Sequence, residues 1–438
     1  MNNLQKKIKM HCVVFYSKRY WNKEDEIKMT IRAIKEKLET ALLKFNIETK
    51  IITIKEEKDI NILNNIEKEG IGLFIPISGS VQPWAFKAAE YFKTVSVCGA
   101  YVPGFVQDEI TKLIVEKNAA PAVMEIYSML KRKDQMINWF KSFDELVDLY
   151  KAVLAVNRLE NSNLLLIGDT ENWVLSSTKD REIIKKRLGI NLLNISLNAL
   201  EKKYTAVDDM IAQEEAEKWS KNALSIIEPV KKDIVEASRL SICMNNLINE
   251  YDLSGIAIGC FKMLNRFGTT SCLALSRLND SINCVGACEG DLDSAITMML
   301  MKAISNKPAF MANPMIMNEN IIKLVHCSAP CCITGENSPY ILRNHHESGI
   351  GVSPEVQLPF GESVTLCRLG AGLSTVHVLK GETVKTNNIN TCRTQIDIKL
   401  DSMSAYIENV LGCHISITYG IYERILKYWA KITGVKLS

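Results

Sequence analysis

The sequence predicts an α/β chain in which two parallel-sheet domains precede a β-rich domain built as an antiparallel sheet or barrel. Three observations predict it. The first 160 residues alternate strand-like apolar runs with helically spaced segments. The same alternation restarts near residue 161. Beyond about residue 286, short strands follow one another with little helix between them. A chain of 438 residues exceeds one ordinary core, which fits domains at 1–160, 161–285 and 286–438.

Taken in order, "HCVVFYS" reads as a strand, "KEDEIKMTIRAIKEKLETALLKF" as an amphipathic helix and "IETKIITI" as a second strand. A short helix at "INILNNIEK", the strand "GLFIPIS", the helix "AFKAAEYF" and the strand "VSVCGAY" continue the rhythm. The loops "SGSVQPW" and "GAYVPGF" follow strand carboxyl ends, where open α/β sheets place ligands, so Trp84 is a candidate to stack on the apolar face of a ligand. "NLLLIGD" opens the second domain. In "SSTKDREIIKKRLGINLLNIS" Ser177 reads as a helix N-cap, Asp180 as a first-turn acid and Gly189 as the residue past the helix end. Two long helical stretches follow at 199–227 and 230–251, then the strand "GIAIGCF" and the helix "CLALSRLND". Both units are therefore Rossmann-like in rhythm. In the last domain the strands are "KLVHCS", "GVSPEVQ", "SVTLCRLG", "STVHVLKGETVKT" and "CRTQIDIKL", with Gly361 and Gly381 marking hairpins and an amphipathic helix "YERILKYWAKITG" near the end.

Charged residues make up 24% and the net charge is +3, which supplies no pull toward nucleic acid or anionic membranes. No apolar run reaches the roughly 20 residues of a membrane helix, and the opening "MNNLQKKIKMHCVVFYS" is too short in its apolar part for a leader, so a cytoplasmic location is expected. The 13 cysteines lie mostly inside apolar runs and read as reduced, buried side chains. The denser set Cys284, Cys288, Cys327, Cys331 and Cys332 lacks a C-x-x-C pair and is a weak metal or cluster signal.

"ACEGDLDSAITMMLM" crowds Glu289, Asp291 and Asp293 at the mouth of an apolar segment. Capping a helix needs one carboxylate, and three invite a hard cation or a proton-transfer step. His326 ends an apolar strand, His345 and His346 precede Glu347 and Gly349, and His414 lies between a helix end and the stretch "ISITYG". Imidazoles and carboxylates are ligands of Mn²⁺, Zn²⁺ and Fe²⁺. His11 reads as structural and His377 as solvent-facing.

The segments "ACEGDLDSAITMMLM", "KLVHCSAP", "NHHESGIG", "VTLCRL" and "GCHISITYGIYERIL", in this order, resemble the carboxyl-terminal half of the L-fucose and L-arabinose isomerase superfamily, in particular its short fucose-isomerase-like members. "LLLIGDTENWVLSSTKDREIIKKRLGI" agrees with it. The resemblance implies a cytosolic homo-oligomer that interconverts an aldose and a ketose through an ene-diol, with Mn²⁺ or another divalent metal bound. By motif match Asp291 and His414 take metal positions, and His326 matches a metal histidine of the arabinose branch. Asp291 and Glu289 become the catalytic carboxylates, and Trp84, His346 and Glu347 the sugar contacts. One departure stands out. "CFKMLNRFGTTSCLALSR" has no Asp or Glu where the family's other metal carboxylate falls, and Lys262 stands there, so Glu289 or Glu347 would complete the site. The competing reading is a non-catalytic sugar-binding relative, in which the Lys262 ammonium takes the cation's place.

Overall fold

The computed structural model describes residues 10–45, 47–66, 70–133, 136–281 and 283–438. Residues 1–9, which the leader argument concerns, and 67–68 of the expected short helix lie outside them. Two compact units divide the described chain near Arg158.

The first unit carries β1 (Met10–Phe15), α1 (Glu24–Leu43), β2 (Thr49–Ile54), β3 (Ile71–Pro76), α2 (Gln82–Ala88), β4 (Thr94–Val97), α3 (Asp108–Glu116), α4 (Ala119–Arg132), β5 (Ile137–Trp139) and most of α5 (Phe143–Leu159). Its five strands are parallel in the order β2-β1-β3-β4-β5, the doubly wound order whose switch point falls between β1 and β3. All six residues of β1 and of β3 are buried, as central parallel strands covered on both faces must be. Phe15, Phe74 and Phe92 meet edge-on within that core.

The second unit begins with another parallel sheet. Its elements are β6 (Asn163–Ile167), α6 (Arg181–Leu188), β7 (Asn191–Ile195), α7 (Leu197–Thr205), α8 (Asp209–Asn222), β8 (Ser225–Ile226), α9 (Lys231–Tyr251), β9 (Leu253–Ile258), α10 (Cys260–Phe267), α11 (Cys272–Asp280) and β10 (Val285–Ala287). The order β10-β9-β6-β7 puts this switch point between β6 and β9. Three local expectations change here. The N-cap of α6 is Asp180, whose carboxylate accepts the Glu182 and Ile183 N–H groups, while Ser177 serves a different helix. The stretch expected to be one long helix breaks into α7 and α8, because Asp208 caps α8 through the Met210 and Ile211 N–H groups. Its last residues, Ser225 and Ile226, pair with a strand instead of continuing the helix.

Next comes α12 (Leu292–Ser305), rich in apolar residues and buried on every side from Leu292 to Ile304. It contacts β9 and β10 of the parallel sheet and three strands of the sheet that follows. That sheet uses β11 (Phe310–Ile316), β12 (Ile321–His326), β15 (Ser363–Gly370), β16 (Thr375–Val384), β17 (Thr394–Leu400) and β18 (Ile415–Tyr419); β13 (Tyr340–Arg343) and β14 (Ser353–Val356) form a small sheet with β8. The order β15-β18-β11-β12-β17-β16 closes through the β15–β16 pairing into an antiparallel barrel. α13 (Met403–Glu408), α14 (Glu423–Thr433) and β19 (Lys436–Leu437), which pairs with β16, complete the chain. The α/β class with a β-rich carboxyl-terminal part is thus observed, and the barrel form is the one adopted.

Two details differ from expectation. Gly381 is not a hairpin turn but lies inside β16, where a Cβ would come within 2.7 Å of Ile398 Cγ2 and of the Lys399 carbonyl oxygen. His377 does not face solvent. It is buried, and its Nδ1 meets the Ser438 carbonyl at 3.1 Å, tying the chain end to the barrel. No described helix is long and apolar enough to cross a membrane.

Candidate active site

At the carboxyl end of β10 the chain turns through Cys288, Glu289 and Gly290 into α12. Glu289 adopts φ +57 and Gly290 φ +61. A side chain on Gly290 would press to 2.7 Å from Thr170 Cα, so this turn lies against the loop that follows β6. The Glu289 carbonyl accepts the Glu171 N–H at 2.9 Å, and the Gly290 N–H donates to Ile258 at 2.8 Å. A left-handed non-glycine residue costs about 1 kcal/mol or more, and here neighbouring loops hold it in place with its carboxylate turned toward the barrel.

Asp291, matched by motif to a metal position, caps α12. Its Oδ1 accepts the Ser294 N–H at 3.1 Å. The same carboxylate accepts from the two terminal Arg368 nitrogens, Nη1 and Nη2, at 2.8 and 3.2 Å, from the Ser294 hydroxyl at 2.8 Å and from His414 Nδ1–H at 2.9 Å. Burial opposes its charge, but Arg368 and His414 outweigh that and hold the carboxyl well below the ordinary range. Asp293 sits in the first turn with Oδ1 on the Thr178 N–H at 3.1 Å, and burial lifts it to about 6 against the pull of Arg368. The cap on the first N–H groups of α12 comes from Ser177, whose Oγ accepts from Leu292 at 2.9 Å and Asp293 at 3.3 Å.

The barrel supplies the histidines. His326 ends β12, His414 precedes β18, and their rings lie 5.9 Å apart. His414 Nε2 is 3.3 Å from Glu289 Oε1. Burial works against the His414 imidazolium, yet its bonds to Asp291, Cys413 and Glu289 raise its pKa well above the ordinary value. Burial and the neighbouring His414 push His326 down to about 4, so it is neutral, with Nδ1 2.8 Å from the Ser328 hydroxyl. Glu289 stays ionised, since His414 and the Trp173 indole overcome its burial. One ligand atom from each of Glu289, His326 and His414 falls within 4.8 Å of the other two. A second such group, Asp291, Cys413 and His414, draws on a carboxylate already engaged by Arg368.

An aromatic wall borders this group. The Trp173 indole donates to Glu289 Oε2 at 2.6 Å, its ring lies 5.0 Å from Phe261, and Phe261 lies 5.8 Å from His345. Trp173 is 54% exposed, so much of its ring is open to solvent. Lys262, placed where an acid was expected, directs its ammonium to Asp169 at 3.5 Å. At that point Glu171 is the buried carboxylate, and its Oε1 accepts the Phe261 N–H at 3.0 Å, starting α10. His346 is half-buried and Glu347 exposed, on the turn outside the converging group. Trp84 lies on α2 of the first unit, partly buried against that unit's core.

Trp173, Arg368 and Ser177 escaped sequence reasoning as site residues. An arginine inside the apolar run "VTLCRLG" signals a buried charge that needs a partner, and Trp173 follows a strand carboxyl end. Ser177 carried no such signal, because the N–H groups it caps belong to residues 115 and 116 positions away.

The chain is similar to two sulfoquinovose isomerases. That of Alkalicoccus urumqiensis is 24% identical over 232 residues, 52% of this chain and 52% of that protein. That of Clostridium sp. (strain MSTE9) is 23% identical over 221 residues, 49% of this chain and 48% of its own length. The chain thus spans about half the length of the curated relatives it matches. No family model matches it.

Proposed function

We propose that the protein is a metal-dependent aldose–ketose isomerase acting on a small sugar. The observation that carries this reading is the convergence of Glu289, His326 and His414 within 4.8 Å at the carboxyl end of a parallel sheet. The likeness to sulfoquinovose isomerases supports the reaction class, and extends to a sulfonated sugar as one substrate to test.

The donor set fits a divalent ion. It offers one ionised carboxylate and a neutral imidazole, with a second imidazole, His414, whose Nδ1–H is fixed by Asp291 and whose Nε2 becomes a donor once its proton is displaced by the ion. Glu289, His326 and His414 would hold the ion, and Mn²⁺ is the form proposed. Bound there, it supplies Lewis acidity to a sugar's carbonyl and neighbouring hydroxyl oxygens. Glu289 would take the proton from C2 and return it to C1, which is the ene-diol route. Asp291 is assigned a positioning role, because its lone pairs are occupied by Arg368, Ser294 and His414. Trp173 fixes the second oxygen of Glu289 and offers a ring face to the sugar. His346 and Glu347 are assigned to sugar hydroxyls from the adjoining turn.

The test is incubation with MnCl₂ and a panel of aldoses, sulfoquinovose included, in D₂O, followed by proton NMR. Loss of the C2 proton signal with appearance of ketose supports the proposal. Binding of a sugar by calorimetry without exchange at C2 would instead favour the non-catalytic reading.

A further inference from the structure

A buried set of thiols adjoins the Glu289 turn. Cys260 opens α10, directly beyond β9, and Cys288 lies directly beyond β10. These strands are paired in parallel with Ala257 opposite Ala287, so the sheet carries both cysteines to one end side by side. Their sulfurs are 3.1 Å apart. Next to them Cys327 is hydrogen-bonded to both Cys272 and Cys392. All of these are free thiols. Cys260 and Cys288 are both buried, each 7% exposed, which shields the pair from bulky reagents.

We propose that Cys260 and Cys288 are an oxidisable dithiol that a hydroperoxide converts to a disulfide, and that closing this bond distorts the Glu289 turn. One sulfur attacks a peroxide oxygen and breaks the O–O bond, giving a sulfenic acid and one molecule of water or alcohol. The second sulfur then displaces the sulfenic hydroxyl, forming the S–S bond and releasing water. The two thiols lose two electrons and two protons, and the peroxide accepts both. A disulfide is about 2.05 Å long, so the sulfurs must close by roughly 1 Å. Strands β9 and β10 fix the start of each segment, and the movement therefore falls on the residues that follow. Cys288 is bonded directly to Glu289, whose peptide is already in the left-handed region. The inference holds whatever reaction that carboxylate serves.

Hydrogen peroxide is the probe. The wild-type protein is treated with it, remaining thiols are alkylated, and peptides are mapped without reduction. The expected product joins the peptides of Cys260 and Cys288 at a mass two hydrogens lower, and dithiothreitol reverses it. Both thiols recovered singly alkylated, or cross-linking confined to Cys272, Cys327 and Cys392, would overturn the assignment. Amide hydrogen exchange reads the second half. The N–H groups of Gly290 and Glu171, bonded to Ile258 and Glu289, should exchange faster in oxidised protein than in reduced protein. Unchanged exchange despite the cross-link refutes the coupling. Cys260→Ser and, separately, Cys288→Ala should each abolish both effects.

Discussion

The two parallel sheets are wound in the same sense, yet their switch points hold different chemistry. In the first unit, the loops after β1 and β3 satisfy one another with neutral groups. The Ser17 N–H donates to the Ser78 hydroxyl at 2.8 Å, and the Trp21 indole donates to the Ile77 carbonyl at 3.2 Å. In the second unit, the loops after β6, β9 and β10 bring Glu171 and Glu289 to the strand ends, and the barrel adds His326, Arg368 and His414. Winding alone therefore provides backbone ends and a crevice. In the second unit the carboxylates meet imidazoles and a guanidinium because a second layer faces those ends with its own side chains.

Glu289→Gln should break the contrast most deeply. It removes the charge at the converging point and is expected to lower isomerisation by roughly 10²–10⁴-fold, measured by NMR with Mn²⁺ present, with the fold retained. Residual activity near wild type would place the chemistry elsewhere. Arg368→Met tests the support behind the site. Asp291 is fully buried, and loss of its guanidinium partner should cost about 3–5 kcal/mol of stability in urea unfolding.

The pH response of the metal-free protein sharpens the comparison further. Asp291 is held below its ordinary pKa, so its contribution is present above about 3.9 and is lost as pH falls below that value. His414 is raised, so its contribution is full below about 6.5 and is lost as pH rises through its higher native value. Stability from this cluster should peak between about pH 4 and 6.5, and Asp291→Asn should flatten both limbs. Urea midpoints from pH 3 to 9 decide it. The smallest effects belong to neutral contacts. Ser177→Ala should cost about 1 kcal/mol, because it leaves the Leu292 and Asp293 N–H groups at the start of α12 without their partner. Trp21→Phe in the first sheet should cost about 0.5–1.5 kcal/mol and leave Mn²⁺ affinity in calorimetry unchanged.

The alternation of strands and helices was legible because each buried strand is apolar along its length, and the β-rich end showed itself in a change of period. His326 and His414 stood out as polar residues at element boundaries. The division of labour among Glu289, Asp291 and Asp293 was not legible. It depends on Arg368, 77 residues from Asp291, and on Thr178, 115 from Asp293, and no local pattern encodes such partners. Strand β11 escaped for a related reason. Its first residues, Phe310 to Ala312, are buried and the rest grade to exposed, so no period of two marks it. Gly381 looked like a turn because a glycine's need for a close approach leaves the same trace in sequence as its need for a positive φ.

The closed barrel also dictates an order of assembly. Its β15–β16 hairpin joins neighbours in the chain and can form early, whereas ring closure requires β18 to reach β11, as in the Thr418 bond to Pro308 across 110 residues. Long loops close slowly, and non-local strand pairing sets the pace of folding. His414 stands immediately before β18 and meets Asp291 across 123 residues, so these two side chains come together only when the ring shuts. A chain that stalls before that step has sheets and helices but no converging histidines. The His414–Asp291 contact is therefore a sensor of completed folding.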